Sequence, residues 1–462
     1  MKSKKIGRHP LVQTRDTRYM HNPAKVIVIS FVLLILAGTV LLMLPWSSRD
    51  GQVTPFLNAL FTATSASCVT GLTMYDTFTH FTLFGQIVII SLIQLGGLGL
   101  VTLTSFFYLI IGKKMGLRTV HLAQESVNSD EHVDTVHLLK MVVGVTFTIE
   151  FLGALVLMTV FLPEHGGYGV FMAIFFAISA YCNAGFDLLG FREPGSSLLT
   201  VQDNGVLNLT LMCLVVLGGL GFIIWQDLLF YRRRRKLLLH TKVVLCFTGI
   251  LLLIGWIGFL LLEWNNPATL GKLPLPQKLL HGLFQSVTVR TAGFDSIGQG
   301  ELTGLGKLFS ILLMFIGAGP GSTGGGIKVT TFVVLAMTVV SVIRGDSDTV
   351  VMGRRIDKPV IYRAFTVAVL GVLMVCVTAG VLILTGDAQS ELDGIYEAVS
   401  AFATVGLSAG PTGRAGVLSK LALTLTMLTG RVGPVGLALS LSMKTAGSIQ
   451  KVVRPEGRIW VG

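Results

Sequence analysis

The sequence carries four short segments that end alike, each a run of small residues closing on a glycine that Leu or Phe follows. The glycines are Gly71, Gly185, Gly293 and Gly406, separated by 114, 108 and 113 residues. A nearly fixed spacing indicates that one structural unit occurs several times in the chain. The four segments are SASCVTGL (65–72), SAYCNAGF (179–186), VTVRTAGF (287–294) and SAFATVGL (400–407).

The groups in these segments that can do chemistry are backbone carbonyls, because the side chains are mostly small. One such glycine in a membrane protein usually serves packing alone, whereas four copies favour a shared function. Rings of carbonyl oxygens replace the hydration shell of a cation in potassium-channel filters, which contain the same Thr-Val-Gly as residues 404–406. Glycine suits such a loop because it adopts positive φ at no steric cost. The predicted filter residues are Val69, Thr70, Gly71, Asn183, Ala184, Gly185, Thr291, Ala292, Gly293, Thr404, Val405 and Gly406.

The elements that must position these loops are apolar helices. Of the 462 residues, 52% are hydrophobic and only 13% are charged, whereas a soluble domain carries about 25% charge. Apolar runs of about 20 residues can cross a hydrocarbon core about 30 Å thick. Each glycine segment follows a long apolar run and then a shorter piece that cannot span, and a second long run comes after it. The first long runs are 25–45, 138–162, 242–262 and 363–385.

This order predicts an all-α membrane protein. Four repeated units of helix, re-entrant half-helix with loop, and helix give eight spans around a central pseudo-fourfold pore. Irregular backbone at membrane depth is tolerated where it is packed in protein or lines a watery path, which agrees with this arrangement. The predicted segments are a basic tail (1–24), pore units one to four (25–112, 113–236, 237–345 and 346–448) and a C-terminal tail (449–462).

The net charge of +12 is explained by membrane topology rather than by nucleic-acid binding. Most of the 36 Lys and Arg gather in alternate connections between apolar runs, which is the positive-inside pattern. We therefore expect a multi-pass protein of the cell membrane with both termini in the cytoplasm and no nucleic-acid partner. The five cysteines form no C-x-x-C pair, and we expect them to be buried and to bind no metal.

The third unit contains a break in its second apolar run. Six glycines and one proline within residues 317–326 cannot remain helical at low cost. This stretch also fits the dinucleotide-binding motif G-x-G-x-x-G, but no strand precedes it. It does not fit a Walker A motif, because Ile327 stands where that motif needs lysine. We predict a mobile intramembrane loop (317–328) acting as a gate, with a static kink as the alternative. The predicted gate residues are Gly317, Gly319, Gly321, Gly324, Gly325, Gly326, Lys328 and Arg431.

Charged residues inside apolar segments need partners or a watery path. Arg431 is predicted to face the pore, with a structural pairing as the alternative, and Lys328 fits a gating or a structural role equally. Arg290 is expected to brace the filter, since a fixed cation in a cation site would repel the ion, and Glu150 is a plausible partner for it. Glu397 is expected at the start of the fourth half-helix, where the helix dipole favours an acid.

From about residue 25 to its end the sequence resembles the Trk/Ktr/HKT superfamily of potassium transporters, and within it the KtrB-type membrane subunit. The four glycine segments look like its filter segments, and GPGSTGGGIK (319–328) looks like its characteristic break. In that family, members with glycine in all four filter segments transport potassium, and members with serine at the glycine position of the first segment prefer sodium. Gly71 therefore implies K⁺ as the transported ion, with Na⁺ as a second candidate and no organic cofactor.

The resemblance further implies a gate formed by the loop and Arg431, and homodimers that sit on a ring of nucleotide-binding, KtrA-type regulatory subunits. The C-terminal stretch 454–462 is expected to pack at the dimer interface. Three other functions compete: a sodium-selective pore of the same fold, a cation-coupled secondary carrier with broken helices, and a membrane enzyme. Against the carrier, all four units have the same orientation; against the enzyme, the sequence shows no catalytic constellation at membrane depth.

Overall fold

The computed structural model describes residues 23–99, 135–434 and 436. The tails 1–24 and 449–462 and the connection 113–137 lie wholly or mostly outside these residues. Within them the chain is helical, apart from a two-stranded antiparallel hairpin in which Val350–Val351 pairs with Arg354–Arg355. An α-helix hydrogen-bonds its own backbone groups, and this is required at membrane depth, where every backbone polar group must be satisfied internally.

Three kinds of helix alternate along the chain. Four long helices each precede a shorter one, here called a loop helix, that leads into a glycine segment. After each segment comes a return helix. The long helices are Pro23–Met43, the first part of Thr135–Tyr181, Leu239–Glu263 and Lys358–Leu384. The loop helices are Phe56–Ser67, the last part of Thr135–Tyr181, Leu275–Thr288 and Glu391–Ala403.

The return helices differ from one another more than the loop helices do. The first is Leu83–Leu98 and the fourth is Val417–Val432. The second is two helices, Gly205–Leu220 and Phe222–Arg234, and the third is Gly304–Phe315 and Val329–Arg344. Short elements complete the chain: Thr77–His80, Pro411–Arg414 and the 3₁₀ turns Pro45–Ser47 and Ser197–Val201.

Local sequence explains where these helices break. Thr135–Tyr181 contains a non-helical Gly166 (φ 54°, ψ −134°) that separates the second long helix from its loop helix. The second return helix bends by 90° at Gly221, whose φ is +107°. The third is interrupted between Phe315 and Val329 by the glycine-rich stretch. An isolated parallel β-bridge joins Ile316 to Ile327, near the two ends of this stretch.

The loop helices lie at the centre and the long helices outside them. Ala63, Tyr181, Tyr396 and Phe402 of the loop helices are fully buried. The long helices instead expose leucines such as Leu33, Leu261 and Leu384, as expected of surfaces that face lipid. The cysteine expectation is wrong for three of the five: Cys213, Cys246 and Cys376 are exposed on apolar helices, and Cys68 and Cys182 are buried.

Four helices in the described residues are long and apolar enough to span a membrane, and the bent pair at Gly221 makes a fifth. They are Lys25–Met43, Leu139–Tyr181, Leu239–Glu263 and Lys358–Leu384. The helices Leu83–Leu98, Gly304–Phe315 and Val329–Arg344 are apolar but shorter. The chain is therefore a helical membrane protein, and the count of eight spans stays a prediction.

Candidate functional site

The four glycine segments share one unusual backbone conformation. In each, the glycine and the residue two positions before it both have positive φ, which L residues rarely adopt. Strained positions of this kind cluster at functional sites. The φ values are 57° and 98° for Val69 and Gly71, 61° and 69° for Asn183 and Gly185, 71° and 80° for Thr291 and Gly293, and 50° and 92° for Thr404 and Gly406.

The four loops meet in a closed ring, because each glycine lies against the carbonyl that precedes the next glycine. A Cβ built on Gly71 would lie 2.6 Å from Ala184 O, and one on Gly293 would lie 2.5 Å from Val405 O. The other two contacts join Gly185 to Ala292 O at 2.8 Å and Gly406 to Thr70 O. The order therefore returns to its start after four loops, and the predicted filter residues do come together around one centre.

Hydroxyl groups at the ends of the loop helices hold the ring. Ser65 Oγ accepts the Gly71 N–H at 3.0 Å, and Ser400 Oγ accepts the Gly406 N–H at 3.1 Å. Ser179 Oγ and Thr288 Oγ1 instead donate to the carbonyls of Phe186 and Phe294, both at 2.7 Å. Sequence reasoning missed these four side chains, although a hydroxyl five or six residues before each glycine was the available signal.

Removing one of these hydroxyls should loosen the ring without unfolding the chain. We expect Ser400→Ala to lower the discrimination of K⁺ from Na⁺ by up to about fivefold, since an unmade hydrogen bond costs about 1 kcal/mol. The measurement is a pair of K⁺ and Na⁺ fluxes in liposomes. Ser91→Ala is the matched control, because the Ser91 hydroxyl bonds only to Ile87 O of its own exposed helix face. Equal discrimination in both variants would contradict a role for Ser400.

On one side of the ring lies a cavity of about 440 Å³, here called the aspartate cavity. The four ring glycines line it together with Asp76, Asp187 and Asp295. Burial raises the pKa of the Asp187 carboxyl to about 6, and the nearby Asp76 carboxylate adds to this rise. The cavity is suited to attracting cations to the ring.

On the other side lies the loop 316–328, directly against the ring. A Cβ on Gly324 or Gly325 would overlap the side chains of Thr291 and Thr404, which stand two residues before ring glycines. Thr323 Oγ1 also donates to Tyr181 O at the end of the second loop helix, at 3.1 Å. Since Thr404 faces this loop while Gly406 lines the aspartate cavity, the ring separates the two.

Backbone hydrogen bonds fix the same loop to its neighbours. The Gly317 N–H donates to Ile327 O at 2.8 Å, and the Gly319 N–H donates to Gly219 O at 2.9 Å. Gly321 O accepts the Phe222 N–H at 2.8 Å. Gly321 and Gly326 adopt positive φ, of 62° and 69°. In this structure backbone hydrogen bonds thus hold the loop between the second return helix and the two halves of the third.

The Arg431 side chain lies between the loop and the end of the first return helix. Its guanidinium donates to Thr323 O of the loop and to Gly96 O and Gly97 O at the end of the first return helix. Lys328 Nζ donates to Gly324 O at 2.5 Å. Both cations line a second cavity of about 290 Å³, here called the arginine cavity, with Gly321, Gly324 and Gly326. All eight predicted gate residues therefore lie in or beside one structure.

The pairing of Arg290 with Glu150 is wrong. Arg290 donates to Thr248 O at 3.3 Å and to Gly317 O at 3.2 Å, so it braces the start of the loop rather than the ring. Its loop helix ends before it, at Thr288. Glu150 accepts a hydrogen bond from Gln94 Nε2 at 3.1 Å and contacts the Cys182 thiol at 3.8 Å.

Glu397 is also placed differently from the sequence expectation. The fourth loop helix begins at Glu391, so Glu397 lies in its middle and not in the first turn, where Glu391 and Asp393 stand. It is fully buried, and its Oε2 accepts the Ser408 hydroxyl at 3.0 Å. The helix dipole therefore does not explain it.

The chemistry available at this site is ion passage rather than covalent change. Four carbonyl-bearing loops form a ring, carboxyl groups lie on one side of it, and the glycine-rich loop with Lys328 and Arg431 lies on the other. The described part of the chain contains no group of three His, Cys, Asp or Glu that could hold a metal ion. These features define a class of protein, the helical membrane proteins in which several loops of one chain meet at a common centre.

Comparison with known proteins gives the family. Residues 3–451 match TrkH, the family described as cation transport protein, and the chain belongs to this family. Its sequence is 38% identical over 456 residues to the potassium/sodium uptake protein NtpJ of Enterococcus hirae, covering 98% of this chain and all of the relative. It is 39% identical over 442 residues to the Ktr system potassium uptake protein B of Bacillus subtilis, covering 95% and 97%.

A solved structure shows the same fold. The potassium transporter TrkH from Vibrio parahaemolyticus superposes with a TM-score of 0.71 over 93% of this chain and 87% of that one, at 18% identity. The resemblance proposed from the four glycine segments is thus confirmed, and the family is one of membrane transporters rather than enzymes.

Proposed function

We propose that this protein carries K⁺ across the cell membrane through a filter formed by the carbonyls of the four-loop ring. The observation that carries the proposal is the closed cyclic contact of the glycines Gly71, Gly185, Gly293 and Gly406 with the next loop's carbonyls. Carbonyl rings replace the hydration shell of a cation, so a desolvated ion can pass. The aspartate cavity supplies ions to one end of this path.

Potassium is favoured over sodium by the sequence and by the name of one relative. All four ring positions are glycine, as the resemblance associates with potassium transport. The Bacillus subtilis relative is named for potassium uptake. A sodium-permeable pore of the same fold is the second candidate, since the Enterococcus hirae relative is named for potassium and sodium.

The proposal includes the topology predicted from the sequence. Eight spans in four units surround the ring, with boundaries at about residues 113, 237 and 346, and both termini lie in the cytoplasm of a bacterial cell. Basic residues in alternate connections support this orientation. The aspartate cavity then opens outward and the arginine cavity opens to the cytoplasm.

The loop 317–328 and Arg431 are proposed as the gate of this path. The loop occupies the space between the ring and the arginine cavity. Arg431 ties it to the first return helix through carbonyls on both sides. A positive charge so close to the path also repels a passing cation.

We expect Arg431→Gln to raise K⁺ flux about tenfold, because hydrogen bonds from a charged group hold the loop with about 1.5–3 kcal/mol. The measurement is K⁺ efflux from liposomes at equal protein content. Arg431→Lys separates the causes: it keeps the charge but cannot bridge the same carbonyls. A rise in both variants identifies the bridge, and a rise in Gln alone identifies the charge. A lower flux in folded Arg431→Gln would contradict the gate.

The chain is proposed to work as a homodimer on a cytoplasmic ring of nucleotide-binding regulatory subunits. The gate needs a signal, and a partner can bias it only by binding one state better. The name of the Bacillus subtilis relative, a component of a Ktr system, supports a multi-component assembly. The tail 449–462, proposed for the dimer interface, lies outside the described residues.

The test of this function is the flux of K⁺ and Na⁺ in liposomes that contain the purified chain alone. A K⁺ flux clearly above the Na⁺ flux supports the potassium path. Equal fluxes would favour the sodium-permeable alternative. Flux that requires a gradient of a second, co-transported cation would favour the secondary carrier.

A further inference from the structure

The second return helix changes direction at the edge of the gate. Gly205–Leu220 and Phe222–Arg234 meet at an angle of 90°. The second helix therefore runs at a right angle to the first, which packs on the Thr135–Tyr181 helix. The sequence of this transverse helix and the residues after it is FIIWQDLLFYRRRRK (222–236), which ends in five consecutive basic residues.

The bend is joined to the gating loop by backbone hydrogen bonds on both sides of Gly221. Gly219 O accepts the Gly319 N–H at 2.9 Å, and the Phe222 N–H donates to Gly321 O at 2.8 Å. A Cβ on Gly221 would lie 2.5 Å from Pro320 O. Any rotation of the transverse helix about its bend must therefore break these bonds or move the loop.

The first half of the transverse helix packs against neighbouring elements. Phe222 packs on Leu98 and Val142, and Ile224 packs on Val244 near the start of the third long helix. Asp227 Oδ2 accepts the Leu238 N–H at 2.8 Å, at the N-cap of that long helix. These contacts place the helix along the end of the bundle that holds the basic connections, which is the cytoplasmic membrane surface in the proposed orientation.

Several side chains further along this helix are exposed. Leu228, Leu229 and Arg232 lie within one turn on the same side of the helix, and all three are exposed. Arg235 and Lys236, which follow, are exposed too. Apolar side chains beside a basic cluster, on a helix that lies along the membrane plane, suit the headgroup region of a leaflet with anionic lipids.

From this geometry we infer that the helix Phe222–Arg234 binds anionic phospholipid headgroups and thereby holds the gating loop in its closed position. The inference rests on the proposed gate. The structure shows the bent helix bonded to the loop, so a ligand that binds the bent form favours the closed state. Topology alone would place basic residues here, but it would not connect them to the loop.

The experiment compares K⁺ efflux from liposomes of phosphatidylcholine alone and of phosphatidylcholine with phosphatidylglycerol. We expect phosphatidylglycerol to lower the flux of the unmodified protein by about threefold or more, and high choline chloride to relieve this effect by screening. Arg232→Gln/Arg235→Gln should make the flux independent of the lipid. Arg354→Gln/Lys358→Gln is the control, because it removes two exposed basic residues from other elements, the hairpin and the fourth long helix.

The possible results separate this inference from the proposed function. If K⁺ flux is present but both lipid mixtures give the same value, or if the control variant abolishes the lipid effect as fully as the helix variant, the lipid inference is wrong and the transport function stands. If the flux responds only when a cytoplasmic protein is added, the basic cluster is a protein-docking surface instead. No K⁺ flux in either mixture, with folded protein, counts against the transport function itself.

Discussion

Gly71→Ser is expected to remove most of the discrimination of K⁺ from Na⁺. The Gly71 φ of +98° is one that residues with a Cβ rarely adopt, and a Cβ there would lie 2.6 Å from Ala184 O and 3.3 Å from the Cα of Gly406. The new side chain must therefore displace a carbonyl of the ring. Because the field at the ion depends on the number and position of these carbonyls, we expect the K⁺ to Na⁺ flux ratio to fall about tenfold or more.

Gly413→Ser provides the matched control. Gly413 lines the aspartate cavity as Gly71 does, but a Cβ built on it meets nothing within 4 Å. Both variants are compared by liposome flux after their thermal unfolding has been measured. If the folded Gly71→Ser variant keeps the flux ratio of the control, the ring is not the selective element.

The second large effect is expected from shortening the gating loop. Deleting Gly324 and Gly325 removes the part of the loop that lies against Thr291 and Thr404, directly below the ring. With this part of the loop removed, the path from the ring to the arginine cavity opens. We expect the K⁺ flux to rise about tenfold, as it would if the hydrogen bonds that hold a closed state of the gate were lost.

A deletion of the same length serves as the control. Asp346 and Ser347 lie on an exposed turn after the third return helix, and their removal should leave the flux unchanged. A loop deletion that folds normally and conducts less than this control would mean that the loop supports the pore rather than closes it.

The sequence predicted the local elements well. The shorter piece expected between the first long run and the first glycine segment is present as the first loop helix, Phe56–Ser67. The glycine-rich stretch predicted to break a helix lies between Phe315 and Val329 in the structure. Both features follow from local chemistry: small and apolar residues with no helix breaker in the first case, and glycine with proline in the second.

Contacts between distant elements could not be predicted in the same way. Glu150 is an acid and Arg290 is a base, and both are buried at membrane depth. Their opposite charges alone suggested a pair. The structure satisfies each with other partners, because helix rotation decides which side chains face one another. Among the described residues, the Arg431 guanidinium donates its hydrogen bonds to backbone carbonyls, and a carbonyl leaves no trace in the sequence.

The ring hydroxyls show an intermediate case. Ser65 and Ser400 are visible as a repeated serine six residues before the glycine, yet the third segment has Val287 at that position and uses Thr288 instead. Because the position of the hydroxyl residue shifts by one in one of the four copies, the pattern is difficult to detect in the sequence. The cyclic order of the loops depends on tertiary packing and could only come from the structure.

The central claim is that the ring carbonyls bind the transported ion. Diffraction from crystals grown with Rb⁺ in place of K⁺, at a wavelength where Rb⁺ scatters anomalously, tests it most directly. We predict an anomalous peak on the ring axis, in contact with the carbonyl oxygens of Thr70, Ala184, Ala292 and Val405. Anomalous peaks confined to the carboxylates of the aspartate cavity, with none at the ring, would contradict the account.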